Sequence, residues 1–281
     1  ILSLDGLCKQ YPAFRLDNVS FSMEAGTIMG LIGRNGAGKT TTLKSMLHLV
    51  HPDAGTVTIC GLDMDKDERE IRSRIGFVSG GASYYQRKRL RELTDVTKRF
   101  YPGWDDGRYA RLVRQFSLDE SKRVCELSEG MKVKYQLAAA MSHRAELLIL
   151  DEPTSGLDPV SRDELLDTFR TLCEQEGVSI LFSTHITSDL DACADTITYI
   201  QHGRVAASTD KKTWTWGYLL LQGSDAACTP ALRAACIGAR SHKGELEALL
   251  RKEDAALAAG FALPPANLEQ IMVHLEREAE A

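Results

Sequence analysis

The densest chemistry in the chain lies in Gly33-Arg34-Asn35-Gly36-Ala37-Gly38-Lys39-Thr40-Thr41. Gly33, Gly38, Lys39 and Thr40 fit the phosphate-loop spacing G-x-x-x-x-G-K-[ST]. Glycines without side chains let backbone N–H groups turn inward around a phosphate. Lys39 is placed to reach β- and γ-phosphates, and the Thr40 hydroxyl to ligate Mg²⁺. Far downstream, Asp151 and Glu152 are adjacent acids. One carboxylate suits a hard cation, which prefers oxygen ligands. The next can polarise an attacking water as general base. This division assigns Asp151 to the metal and Glu152 to the water. The phosphate loop implies a nucleotide, without saying which one or what work it does.

These groups need elements to hold them. Thr27-Ile28-Met29-Gly30-Leu31-Ile32 predicts a buried strand ahead of the loop. Thr41 to Leu47 predicts a helix after it, with Leu43, Met46 and Leu47 on one face. The helix start adds a partial positive charge that favours an anion. Leu147 to Leu150 is an uninterrupted apolar run, as expected of a parallel strand buried on both faces. Asp151 and Glu152 then fall at its C-terminal end, where open α/β sheets place their ligands. Val178 to Thr184 is another strand candidate, followed by His185. A lone histidine after a strand is by itself more often structural than catalytic. Alternation continues to about Gly203-Arg204-Val205, which implies a largely parallel sheet covered by helices.

Between the loop and the acidic strand lies Leu127-Ser128-Glu129-Gly130. A serine hydroxyl and glycine amides before a helix make a second phosphate receptor. Lys132 to Met141 supplies that helix, with apolar spacing at Val133, Leu137, Ala140 and Met141. With Ser183-Thr184-His185 and the two segments above, the order resembles the ATP-binding subunit of an ABC transporter, from about Ile1 to Ser208. The resemblance implies an α/β P-loop NTPase (RecA-like) core, an N-terminal β-subdomain and a helical signature subdomain at about 84–141. It implies binding of ATP with Mg²⁺, and hydrolysis with Glu152 as base and His185 on the γ-phosphate. Tyr11 resembles the aromatic that stacks on adenine, and Ser155-Gly156-Leu157-Asp158 the loop that crosses the dimer interface. Ser128 and Gly130 then serve a nucleotide held by a second ATP-binding subunit, paired head to tail. A separate transmembrane permease is the implied partner, and the cytoplasmic side of the cell membrane the implied location. Two positions depart from the pattern: Gly80 stands where a glutamine touches Mg²⁺, and Met131 where the signature ends in glutamine. Gly80, the Ser-Glu-Gly-Met signature and Phe100-Tyr101-Pro102-Gly103-Trp104-Asp105 together resemble a bacterial subgroup exporting peptides, antimicrobials or related compounds. Alternatives are a soluble ABC-type ATPase apart from any transporter, or a regulatory half-site that only binds ATP.

Composition bounds these expectations. A length of 281 residues suits one large domain plus a small one. The net charge of −5, with no long basic run, argues against nucleic acid as a main partner. No stretch approaches the ~20 apolar residues that span a bilayer, and no secretory signal is visible. The start at Ile1, without Met, reads as trimmed. Seven scattered cysteines without a Cys-x-x-Cys pair fit reduced thiols. Tyr84-Tyr85 and the Phe100 to Trp104 aromatics are either loop anchors or a groove for a short permease helix. Residues 209–281 read as a small α+β accessory domain, for dimerisation or regulation. Trp214, Trp216, Tyr218 and Leu219 to Leu221 predict a strand there. Thr229-Pro230 opens a helix, and Asn267 with Gln270 opens another bearing Leu268, Ile271, Met272 and Leu275 on one face.

Overall fold

The structure is a computed structural model, and residues 1–79 and 85–280 are described. Gly80 and Tyr84 lie outside the described residues. The chain divides into two units, Ile1–Ser208 and Thr209–Ala281.

The first unit opens with β1 (Leu2–Gln10), β2 (Arg15–Met23) and β3 (Ile28–Ile32), which runs through the phosphate loop into α1 (Lys39–Met46). Next come β4 (Ala54–Ile59), β5 (Leu62–Asp63), α2 (Glu68–Arg74) and β6 (Ile75–Ser79). Helices α3 (Leu90–Thr97), α4 (Asp106–Gln115) and α5 (Glu129–Ser142) intervene before β7 (Leu147–Asp151). The chain continues through α6 (Pro159–Glu176), β8 (Ser179–Thr184), α7 (Thr187–Cys193), β9 (Thr196–Gln201) and β10 (Arg204–Asp210).

Two sheets result, one in the order β2-β1-β4-β5 and a larger one in the order β10-β9-β3-β8-β7-β6. Pairings from β9 through β3, β8 and β7 to β6 are all parallel. Every residue of β3, β7 and β8 is buried, which explains why their central residues form apolar runs rather than alternating, with polar residues only toward the strand ends. Register sets the site: β7 and β8 pair so that Asp151 lies opposite Ser183, and Ile32 of β3 lies opposite Thr184. The phosphate loop, Glu152 and His185 therefore leave neighbouring strands at one edge of the sheet. The fold is that of an α/β P-loop NTPase.

The two-residue turn His202-Gly203 between β9 and β10 braces the phosphate loop. Gly203 N–H donates to Ala37 O at 2.9 Å, and its carbonyl accepts from Asp17 N–H at 2.8 Å. Its φ of +77° is left-handed, and a Cβ there would stand 1.9 Å from the Arg15 carbonyl oxygen. Only glycine suits both constraints. Gly203→Ala is expected to destabilise the fold by about 1–3 kcal/mol, the range for a strained backbone position. A urea melt showing an unchanged midpoint and slope would refute that.

The second unit contains α8 (Lys211–Trp216), β11 (Tyr218–Ser224), α9 (Pro230–Ala235), β12 (Ile237–His242), β13 (Glu245–Arg251) and α10 (Leu268–Glu280). Its strands pair antiparallel as β11-β13-β12, over a core that includes Leu221, Leu232, Leu246 and Leu250. Thr229 caps α9 through a bond from Leu232 N–H at 3.2 Å. Asn267 and Gln270 exchange reciprocal bonds of 2.9 Å at the start of α10. One expectation is corrected: Trp214 and Trp216 lie on helix α8, and the strand starts at Tyr218. The cause is local, because the Asp210 carboxylate accepts from Thr213 N–H at 2.9 Å and caps a helix of six residues.

Candidate active site

Lys39 is 5% exposed, on the first turn of α1. Its ammonium donates to Gly33 O at 2.8 Å and Arg34 O at 3.3 Å, so the loop wraps around its own lysine. The same Nζ lies 3.2 Å from Glu152 Oε1. Glu152 Oε2 is 2.8 Å from His185 Nδ1. Three residues from three separate segments thus form one chain joined by an ion pair and a hydrogen bond, Lys39–Glu152–His185. Glu152 has φ +49°, a conformation that non-glycine residues rarely adopt. Its N–H donates to Ser183 Oγ at 2.9 Å, which anchors that backbone to the neighbouring strand.

Below this chain, Asp151 is buried at the end of β7. Thr40 Oγ1 donates to Asp151 Oδ1 at 3.0 Å, and Ser183 Oγ donates to the same oxygen at 2.7 Å. Both bonds end on Oδ1, so Oδ2 remains for another ligand. A hydroxyl and a carboxylate in contact are a donor set that fits Mg²⁺, a cation that keeps water and phosphate oxygens as its other ligands. Among the described residues no group of three or more His, Cys, Asp or Glu gathers into a metal cage.

The cleft over these groups measures about 690 Å³. Tyr11, Asn35, Gly36, Gly38, Thr41 and His185 line it, with Lys39, Thr40 and Glu152. Gly33, Arg34 and Ala37 belong to the loop without lining the cleft. A Cβ on Gly33 would stand 2.3 Å from the Ile200 carbonyl oxygen, which explains a glycine there. Sequence reasoning missed Phe14 and named Ser155 only as part of the interface loop, and both also line the cleft. Tyr11 N–H donates to Phe14 O at 2.8 Å, closing the turn that brings both rings to one wall. The signal for Phe14 was its spacing of three from Tyr11 across Pro12.

Ser128, Gly130 and Asp158 do not line this cleft. Ser128 is the N-cap of α5, accepting from Met131 N–H at 3.3 Å. Asp158 caps α6, accepting from Val160 and Ser161 N–H, each at 3.0 Å. The Ser161 hydroxyl, together with the Ser161 amide, holds the Asp158 carboxyl below the usual carboxylate range. Gly130 faces the start of α6: a Cβ there would lie 3.6 Å from Leu157 Cδ2 and 3.7 Å from Ser161 Cβ. The two helix starts are therefore neighbours.

An apolar groove of about 780 Å³ opens elsewhere on the same unit, lined by Phe77, Tyr85, Leu90, Leu93, Val96 and Tyr135 among others. Of the aromatic segments, Tyr85 belongs to this groove and Phe100 to Trp104 do not. Tyr101 stacks on His143 at 3.8 Å between ring centroids, and Trp104 Nε1 donates to Asp106 Oδ1 at 3.0 Å, so these two are anchors.

A parallel sheet, a phosphate loop closed on a lysine and an acid–histidine pair at the strand ends define a P-loop nucleotide-binding protein. Comparison with known proteins narrows this. The family model described as ABC transporter matches residues 16–155. The bacitracin transport ATP-binding protein BcrA of Bacillus licheniformis is 32% identical over 208 residues, covering 73% of this chain and 68% of that protein. The chain belongs to the ABC transporter family of ATP-binding proteins. The Nod factor export ATP-binding protein I of Burkholderia lata is 37% identical over 197 residues, covering 68% of this chain and 64% of that relative's length. A solved ATP-binding subunit of an ABC transporter superposes with TM-score 0.68 at 30% identity, covering 76% of this chain and 91% of that one.

Proposed function

We propose that the chain is the energy-coupling subunit of an ABC transporter, binding and hydrolysing ATP to drive a separate permease. The Lys39–Glu152–His185 chain over the phosphate loop carries this reading. Lys39 and the loop amides hold the β- and γ-phosphates, while Tyr11 and Phe14 offer ring faces to the base. Thr40 and Asp151 hold Mg²⁺, which supplies positive charge to the phosphate oxygens. Glu152 accepts the proton of the attacking water, and His185, bonded to Glu152, contacts the γ-phosphate.

Ser128, Gly130 and Asp158 stand at helix starts outside the cleft, which supports their serving a nucleotide bound by a second cassette, head to tail. The names of the relatives support export of a peptide, an antimicrobial or a related compound. The apolar groove suits a short amphipathic helix of the permease, laid in by its apolar face. No helix among the described residues is long and apolar enough to cross a membrane, so attachment to the membrane would be through that partner. Residues 209–281 would then be an accessory unit, in dimerisation or regulation.

The test is the ATPase rate per molecule against protein concentration. A rate that rises with concentration and saturates is expected of a shared site. A full rate from strictly monomeric protein, flat over the whole range, would overturn the paired mechanism.

A further inference from the structure

We propose that Asp189 is a positioning residue for hydrolysis, clamping the two segments that carry Glu152 and His185. This rests on the hydrolytic reading above. Asp189 lies on α7 with a fully buried side chain. Its Oδ2 accepts from Thr154 Oγ1 at 2.7 Å and from Thr184 Oγ1 at 3.1 Å. Its Oδ1 accepts from Arg162 Nε of α6, and Arg162 also donates to Ser188 Oγ at 2.8 Å.

The positions of the two threonines give this cluster its meaning. Thr154 is two residues past Glu152, and Thr184 is immediately before His185. Thr184 Oγ1 also accepts from Ile186 N–H at 3.0 Å, so one hydroxyl brackets His185 on both sides. A single carboxylate therefore grips the chain just beyond the base and just ahead of the histidine. Meanwhile the 2.8 Å contact between Glu152 and His185 is open to the cleft, the imidazole being 39% exposed. Lys39 holds one carboxylate oxygen of Glu152, and the rest of the pair's geometry is set by the two backbones beneath it. One of those backbones is the left-handed Glu152, a conformation that persists only where the surroundings over-determine it. Ser183 fixes the N-terminal side of Glu152, and Asp189 through Thr154 fixes the C-terminal side. Burying a carboxylate is costly unless it is paired and hydrogen-bonded, and here every donor serves that end.

Thr184→Val removes one donor while keeping the shape of the side chain, and Asp189→Asn removes the charge. Both are expected to lower kcat by about 10- to 100-fold, as misplacing reacting groups by a fraction of an ångström does. ATP affinity and KM should stay within about twofold, because neither residue lines the cleft. Added to Glu152→Gln, neither should slow turnover further, since residues acting as a unit are not additive. A kcat per folded molecule that is unchanged, or losses that multiply with Glu152→Gln, would overturn the inference and leave a purely structural ion pair. If Asp189→Asn fails to fold, Thr184→Val decides the question. A wild-type chain that hydrolyses nothing would refute the hydrolytic reading instead. The ¹⁵N shifts of the His185 ring would then still test the clamp, moving in Thr184→Val if it exists and staying fixed if it does not.

Discussion

Replacing Glu152 by glutamine is expected to slow ATP turnover by about 10²–10⁴, the usual contribution of a general base. Glutamine keeps the length of the side chain and can still meet Lys39 and His185, which lie 3.2 and 2.8 Å from the carboxylate. The Glu152 N–H also keeps its bond to Ser183, so the backbone stays in place. What disappears is the capacity to accept a proton from water. ATP affinity should hold or rise, because an amide no longer competes as an anion for the Lys39 ammonium. The measurement is phosphate release at saturating ATP beside the Kd of a fluorescent ATP analogue. Normal turnover in this variant would remove Glu152 from the mechanism. An equal loss of binding would show that it had served the loop rather than the water.

Lys39→Ala should do the opposite, abolishing binding before chemistry. The ammonium is nearly buried and bonds two loop carbonyls, Gly33 O and Arg34 O, as well as facing Glu152. Removing one partner of a buried charge pair costs about 2–5 kcal/mol. At about 1.4 kcal/mol per factor of ten, ATP should bind at least about 30-fold more weakly. The loop also loses the centre it folds around, so the loss should exceed that of a more exposed lysine. Titration calorimetry with ATP would decide it. An unchanged Kd would mean that the phosphates sit elsewhere.

Much of the site was legible because its chemistry is contiguous in sequence. The phosphate loop is one run of residues, and Asp151 and Glu152 end a strand whose apolar run has only one reading in an α/β protein. Residues that act across the sheet were not legible. Gly203 touches Ala37 and Asp17 from far along the chain, and Asp189 meets Thr154 and Arg162 from the next crossover. Nothing local to either residue distinguishes it from a turn glycine or a helix acid. Trp214 and Trp216 failed for another reason. Six residues are too few to show a helical period, and two aromatics favour a strand, while the Asp210 cap shows only in the structure. The groove was half legible: Tyr85 contributes to it, while Tyr101 is taken up by the His143 ring.

In the proposed head-to-tail pair, the cap at Ser128 would bear on how tightly two chains hold a nucleotide between them. Its Oγ already accepts from Met131 N–H within its own helix, although the residue is exposed. The side chain is therefore fixed in one rotamer before any second chain arrives. Ordering a side chain at an interface has an entropic cost, and here folding has met it in advance. The bond uses a lone pair and leaves the hydroxyl hydrogen to point outward. In the proposed pair, association would then meet a rigid donor, and the lifetime of a sandwiched nucleotide would depend on the contacts made rather than on the ordering of the receptor.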